Sequence, residues 1–243
     1  MAKASDFENH CWQGLFSEQL LKQNSTYVRD TFVGDKPGLL LIDLYNLVYE
    51  GGNHPVHDIE EEYTLTCGEY AWQAIDPTKR LIAAARAAQI PIIYSTRHID
   101  TGAIFSTKSV VRRQRAPNAY EIFPAFAPQP GDTIIHKERA SAFYGTPMIA
   151  RLNKLGVRSL IVCGESTSGC VRNSVQDAYM NGYHVAIVEE CTYDRNILSH
   201  KVNLFDMHHK YADVMHVEEV VDHLNGLAAP DVVQPAARQA RVS

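Results

Sequence analysis

The sequence predicts an α/β domain of the doubly wound kind, and two observations carry that reading. Short runs of branched apolar residues recur along the chain, each bounded by turn residues, and segments with helical spacing lie between them. The runs are apolar on both faces, as strands of a sheet covered on each side must be, and parallel neighbours need helical crossovers.

Taken in order, residues 1–36 hold no clear core strand and read as an N-terminal arm, packed either on the domain or on a neighbouring subunit. GLLLID (Gly38 to Asp43) is the first expected strand. The long polar connection 50–76 follows, carrying GGNHPVHDIEEEY and the aromatics Tyr63, Tyr70 and Trp72. Such connections are often lids or binding loops, and a subunit contact fits equally. PTKRLIAAARAAQ, from Pro77, has its proline at a helix start. IPIIYST (Ile90 to Thr96) and DTIIH (Asp132 to His136) are the next strands, and GTPMIARLNKLG (Gly145 to Gly156) is a helix with glycine where a C-cap belongs. SLIVC (Ser159 to Cys163), the helical VRNSVQDAYMNG (Val171 to Gly182), HVAIVE (His184 to Glu189) and a weaker sixth run, ADVMHV (Ala212 to Val217), complete a domain over 37–227. The end from Ala228 is rich in Ala, Pro and Arg and is expected to be a disordered tail.

With 243 residues, 45% of them hydrophobic, the chain can bury one large core. A net charge of −5 offers no broad basic surface for a phosphate backbone, so a small molecule is the expected partner and nucleic acid is not. No apolar run approaches the ~20 residues of a membrane span, and MAKASDFENHCWQG lacks the layout of a secretory signal, so a soluble, cytoplasmic protein without a membrane partner is expected. The five cysteines, Cys11, Cys67, Cys163, Cys170 and Cys191, include no C-x-x-C pair and read as thiols rather than disulfides or a zinc site.

The stretch GESTSGC, Gly164 to Cys170, places a cysteine where a strand leaves the sheet and a helix begins, behind small and polar residues that could not fill a core. Ligands of open α/β sheets bind beyond the carboxyl ends of the strands. Unpaired N–H groups at a helix start favour an anion there and lower a thiol's pKa, which would make Cys170 a nucleophile. A free cysteine is more often a small buried residue, and Cys163 inside SLIVC fits that description better. A nucleophile needs a proton acceptor. Asp43 and Lys137 stand at two other strand ends, where each also admits a plainer role, the aspartate as a helix cap and the lysine as a solvated cation.

LLLIDLYN with Asp43, IIHKERASAFYGT with Lys137, and VCGESTSGCVRNSVQDAYMNGYHVAIVEECTYDR with Cys170 resemble the isochorismatase-like cysteine hydrolases, over about 36–221. TSGCVR, the later Asp194–Arg195 pair and NLFDMHHKYADVM are similar to the N-carbamoylsarcosine amidohydrolase subgroup. The resemblance implies a three-layer α/β/α fold with a six-stranded, mostly parallel sheet and a catalytic set of Asp43, Lys137 and Cys170. It also implies a cis peptide between Glu165 and Ser166, with the backbone N–H groups of Ser166 and Cys170 forming an oxyanion hole. The implied activity is hydrolysis of a small linear amide or carbamoyl compound through a thioester, with no cofactor. The substrate it implies is N-carbamoylsarcosine-like, with a carboxylate as an option, or a compound of the maleamate, ureidoacrylate, biuret or triuret type. A catalytically silent binding protein on the same fold is the alternative.

Arg195 stands where that subgroup holds a substrate carboxylate, to which a guanidinium fork is suited, and a structural salt bridge is the equal alternative. Thr167 either binds the same ligand or caps the following helix. The basic cluster KSVVRRQR, with Lys108, Arg112, Arg113 and Arg115, is a solvated or oligomer-contact run rather than a catalytic one. Nicotinamidases of the superfamily carry a metal held by an Asp and several His after the second strand. STRHIDTGAIFS breaks that pattern, so no metal is expected, and His54, His57, His208 and His209 read as solvated. The resemblance also implies a homo-oligomer, a dimer or a tetramer.

Overall fold

The computed structural model describes residues 3–97 and 116–228. All six apolar runs form strands: β1 (Pro37–Ile42), β2 (Ile92–Arg97), β3 (Thr133–Lys137), β4 (Ser159–Gly164), β5 (His184–Thr192) and β6 (Asp213–Met215). They join in one sheet of order β3-β2-β1-β4-β5-β6, with every pairing parallel. β1 and β4, at the centre, are buried at every residue, which is why alternation is absent from their sequences. β5 runs on past Glu189 to Thr192, with a register shift against β4 between Val162 and Gly164.

The helices, in chain order, are α1 (Glu18–Gln23), α2 (Val56–Ile59), α3 (Gly68–Gln73), α4 (Ile75–Ala87), α5 (Met148–Leu155), α6 (Arg172–Met180), α7 (Ile197–Lys210) and α8 (Val217–Ala228). Successive strand residues point to opposite faces, and this sorts the core into two layers. Leu39, Leu41, Ile161, Cys163, Ala186 and Val188 meet Ala71 of α3, Leu81 of α4 and Leu224 of α8. Leu40, Ile42, Leu160, Val162, Val185 and Ile187 meet Leu152 of α5, Val175 of α6 and Leu204 of α7. The result is three layers, with the sheet in the middle. Pro77 falls in the first turn of α4, and Gly156 caps α5 in the left-handed region at φ 72°.

The N-terminal arm lies on its own domain. The Arg29 guanidinium donates to Asp213 Oδ1 at 2.5 Å and to the carbonyls of His208 and Ala212, while His208 Nε2 meets the Phe7 carbonyl at 2.9 Å. Phe7, Trp12 and Val33 are buried, so the arm contributes to the core that its sequence did not announce. The 50–76 connection is likewise structured, by α2, α3 and Thr66, whose hydroxyl donates to the Glu50 carbonyl at 2.6 Å. Ala228, placed at the start of a tail by its composition, is the last residue of α8. The basic cluster 108–115 and the remaining tail, 229–243, lie outside the described residues. No described helix is long and apolar enough to cross a membrane.

Candidate active site

In this strand order the connections leave β1 and β4 in opposite directions, which opens a crevice at their carboxyl ends. Asp43 directly follows β1, Gly164 ends β4, and Lys137 ends β3, so the topology delivers all three to one sheet edge. Asp43 adopts φ 56°, a left-handed conformation that aspartate tolerates better than most residues, and its N–H donates to the Ser95 carbonyl of β2 at 3.1 Å. Gly164 has φ 118°, and a Cβ there would lie 2.0 Å from the Ile42 carbonyl oxygen. Only glycine lets the two central strand ends pass this closely.

Cys170 lies not in the first turn of an α-helix but in a single π turn, Thr167–Val171, closed by Val171 N–H on the Ser166 carbonyl at 3.1 Å, and α6 begins after it. The peptide between Glu165 and Ser166 is cis. The loop is pinned from several sides. Asp194 Oδ2 accepts from the Ser168 N–H at 2.9 Å and from its hydroxyl at 2.6 Å, the Thr167 N–H donates to the Tyr193 carbonyl, and Ser174 Oγ donates to the Cys170 carbonyl at 2.7 Å. Gly169 has its own reason, since a Cβ there would meet Ser166 Oγ at 2.6 Å.

Lys137 Nζ stands 2.7 Å from Asp43 Oδ2 and donates to Cys170 Sγ at 3.2 Å. Asp43 and Lys137 are buried, and Cys170 is partly exposed. Desolvation raises the Asp43 carboxyl above its usual range, against the pull of Lys137. Burial pulls Lys137 down, but Asp43 and Cys170 outweigh it and the ammonium is held charged. Burial, then the Asp43 charge, pushes the Cys170 thiol up. The expectation that a helix terminus lowers this pKa is therefore corrected: burial and the charge of Asp43 outweigh it and the pull of Lys137.

The three residues first read as a catalytic set thus meet, and neither plainer alternative describes the lysine or the aspartate. The two expected ligand contacts are placed otherwise. The Arg195 guanidinium donates to Glu60 Oε2 at 2.9 Å and to the Thr64 carbonyl at 2.5 Å, a salt bridge into the 50–76 connection. Thr167 is fully buried, and its hydroxyl meets His200 Nδ1 at 2.7 Å, so it neither faces a ligand nor caps a helix. Sequence reasoning missed Ser95, whose hydroxyl donates to Asp43 Oδ1 at 3.0 Å, because a serine inside an apolar run carries no signal of its own. It also passed over the side chain of Glu165, the one acid among small residues, which accepts from the Tyr45 hydroxyl at 3.2 Å.

His208 and His209, expected to be solvated, are buried instead: they bond the Phe7 carbonyl and Glu8 of the arm. Among the described residues His10, Glu189 and His216 are near enough to one another to share a metal ion. Their atoms are already engaged, since His10 bonds Glu189 at 2.6 Å and His216 gives its two nitrogens to Glu190 and the Asn9 carbonyl. This group reads as a clasp on the arm.

The isochorismatase domain model matches residues 37–219. The chain is 32% identical to maleamate amidohydrolase of Pseudomonas putida over 202 residues, covering 80% of this chain and 90% of that one. It is 31% identical to N-carbamoylsarcosine amidase of an Arthrobacter species over 205 residues, covering 80% and 73%. The fold is similar to that of a cysteine hydrolase from Pseudomonas syringae, with TM-score 0.66 at 21% identity over 81% of this chain and 96% of that one. With the sheet order, the crevice and the extent of these matches in agreement, the chain belongs to the isochorismatase family.

Proposed function

We propose that the protein is a cysteine-dependent amidohydrolase that cleaves the C–N bond of a small linear amide or carbamoyl compound. The observation that carries this reading is Lys137 Nζ lying 2.7 Å from Asp43 and 3.2 Å from the Cys170 sulfur at the mouth of the β1–β4 crevice. The amidohydrolase relatives support the reaction type. Asp43, its affinity for a proton raised by burial, takes the thiol proton as the sulfur bonds to the carbonyl carbon. Lys137 holds the carboxylate in place and stabilises the developing thiolate. The carbonyl π electrons move to oxygen, where the N–H groups of Ser166 and Cys170 receive them. Collapse expels ammonia or an amine, which leaves with the proton from Asp43, and a thioester remains. Water, deprotonated by Asp43, attacks the thioester and restores the thiol while the acid departs.

Ammonia release across a panel of linear amides, with the native protein and Cys170→Ala, tests the reading. Turnover is expected from the native protein alone, and equal turnover by both overturns it.

A further inference from the structure

We propose that Glu165 is the recognition group for the far end of the substrate and makes this site select uncharged amide or ureido compounds over carboxylate-bearing ones. The inference rests on the amidohydrolase reading for where the substrate lies, and deepens it.

Three observations support it. The first is placement. Glu165 follows β4 directly, at the sheet edge that also holds Asp43 and Cys170, and like the adjoining Ser166 it is largely but not wholly buried. Its Oε1 accepts from the Tyr45 hydroxyl, and among the described residues no donor takes Oε2, the oxygen offered to a ligand.

The second is the chemical state of the carboxyl. Burial, then the negative charge of Asp43, pushes it up to about 8, against Lys137 and the Tyr45 hydroxyl, with Asp194 adding to the rise. The other titratable groups whose charges it feels or affects are the phenols of Tyr49 and Tyr193 and the thiols of Cys67 and Cys170. Near neutral pH the side chain is a carboxylic acid, with one O–H donor beside one carbonyl acceptor. That pair is complementary to the C=O and N–H of a carboxamide or ureido group, which it can meet by two hydrogen bonds.

The third is the balance of charge. A ligand carboxylate here would stand near the charges of Asp43 and Asp194, while the nearby ammonium of Lys137 is already paired. Arg195, the guanidinium that would have received such a carboxylate, is held by Glu60 and Thr64.

Matched pairs that differ only at the far end test this: succinamide against succinamate, and N-carbamoylglycinamide against N-carbamoylglycine. The native protein is expected to favour the uncharged member of each pair by at least ~10-fold in kcat/KM at pH 7, about 1.4 kcal/mol. Glu165→Gln, neutral and able to donate and accept, keeps that preference. Glu165→Ala loses it, chiefly through KM. A native preference for the carboxylates, or an unchanged ratio in Glu165→Ala, overturns the proposal. Calorimetric binding of the same compounds to Cys170→Ala separates recognition from chemistry. Preferential binding of the uncharged members without turnover in the native protein sinks the amidohydrolase reading and leaves this one standing. Turnover with no such binding preference, or no binding at all, sinks this one.

Discussion

Ser95 Oγ donates to Asp43 Oδ1 at 3.0 Å, while Lys137 Nζ lies 2.7 Å from the other oxygen. A neighbouring strand and an edge strand thus fix the two ends of one carboxylate, and its plane is set before any substrate arrives.

Asp43→Asn keeps this shape without a proton acceptor. Turnover is expected to fall by ~10²- to 10⁴-fold, the usual worth of a positioned base. Asp43 is also a cause of the raised Cys170 thiol, so the same variant should react faster with iodoacetamide at neutral pH. Ammonia release and mass spectrometry of the alkylated peptide measure the two effects. Parallel loss of both would show that Asp43 acts on the sulfur in another way.

Lys137→Met removes the cation from a buried pair and leaves Asp43 desolvated without it. Stability should drop by about 3–5 kcal/mol, along with activity, because an uncompensated buried charge costs more than the pair contributed. Urea denaturation reads the loss, and a midpoint equal to the native one would contradict it.

Gly164→Ala forces a Cβ against the Ile42 carbonyl at a φ of 118°. It should disable turnover and destabilise the fold by more than the ~1–3 kcal/mol of backbone strain alone. Gly156→Ala, at φ 72° with nothing within 4 Å, should cost only that strain. Equal denaturation midpoints for the two variants would refute the claim of close approach.

His216 sets a pH dependence of stability. Its hydrogen bond to Glu190, opposed by partial burial, raises it to about 9 from the ordinary 6.5. Its contribution is therefore complete below pH 6.5 and is lost as the pH rises through 9. His208 works in the opposite direction: burial holds it down at about 2, so acid below pH 6.5 favours the unfolded chain, which takes the proton. Melting curves across pH 5–10 should show both limbs, with the alkaline one reduced in His216→Asn.

The strands were legible because burial on both faces writes itself as unbroken apolar runs, and all six of those runs lie in the sheet. The meeting of Asp43, Lys137 and Cys170 was legible for a topological reason, since parallel strands place their ends on one edge. The arm was harder to read. Phe7, Trp12, His208 and His209 form its seat, and contacts between residues so far apart in the chain leave no local pattern. Which of its two offered roles Arg195 fills, and that His200 takes the Thr167 hydroxyl, were not legible because sequence places a side chain on a segment without saying which neighbour takes it first. The thiol's pKa was misjudged for a similar reason: a helix start lowers it, and burial beside Asp43 overrides that effect.

β3 stands at the margin of the sheet, paired on one side alone among the described residues, and it bears Lys137. Margins open before centres when a fold loosens. On mild heating, then, the ammonium would withdraw from its partners while β1 and β4 remain zipped together, and the protein would fall silent well before it melts.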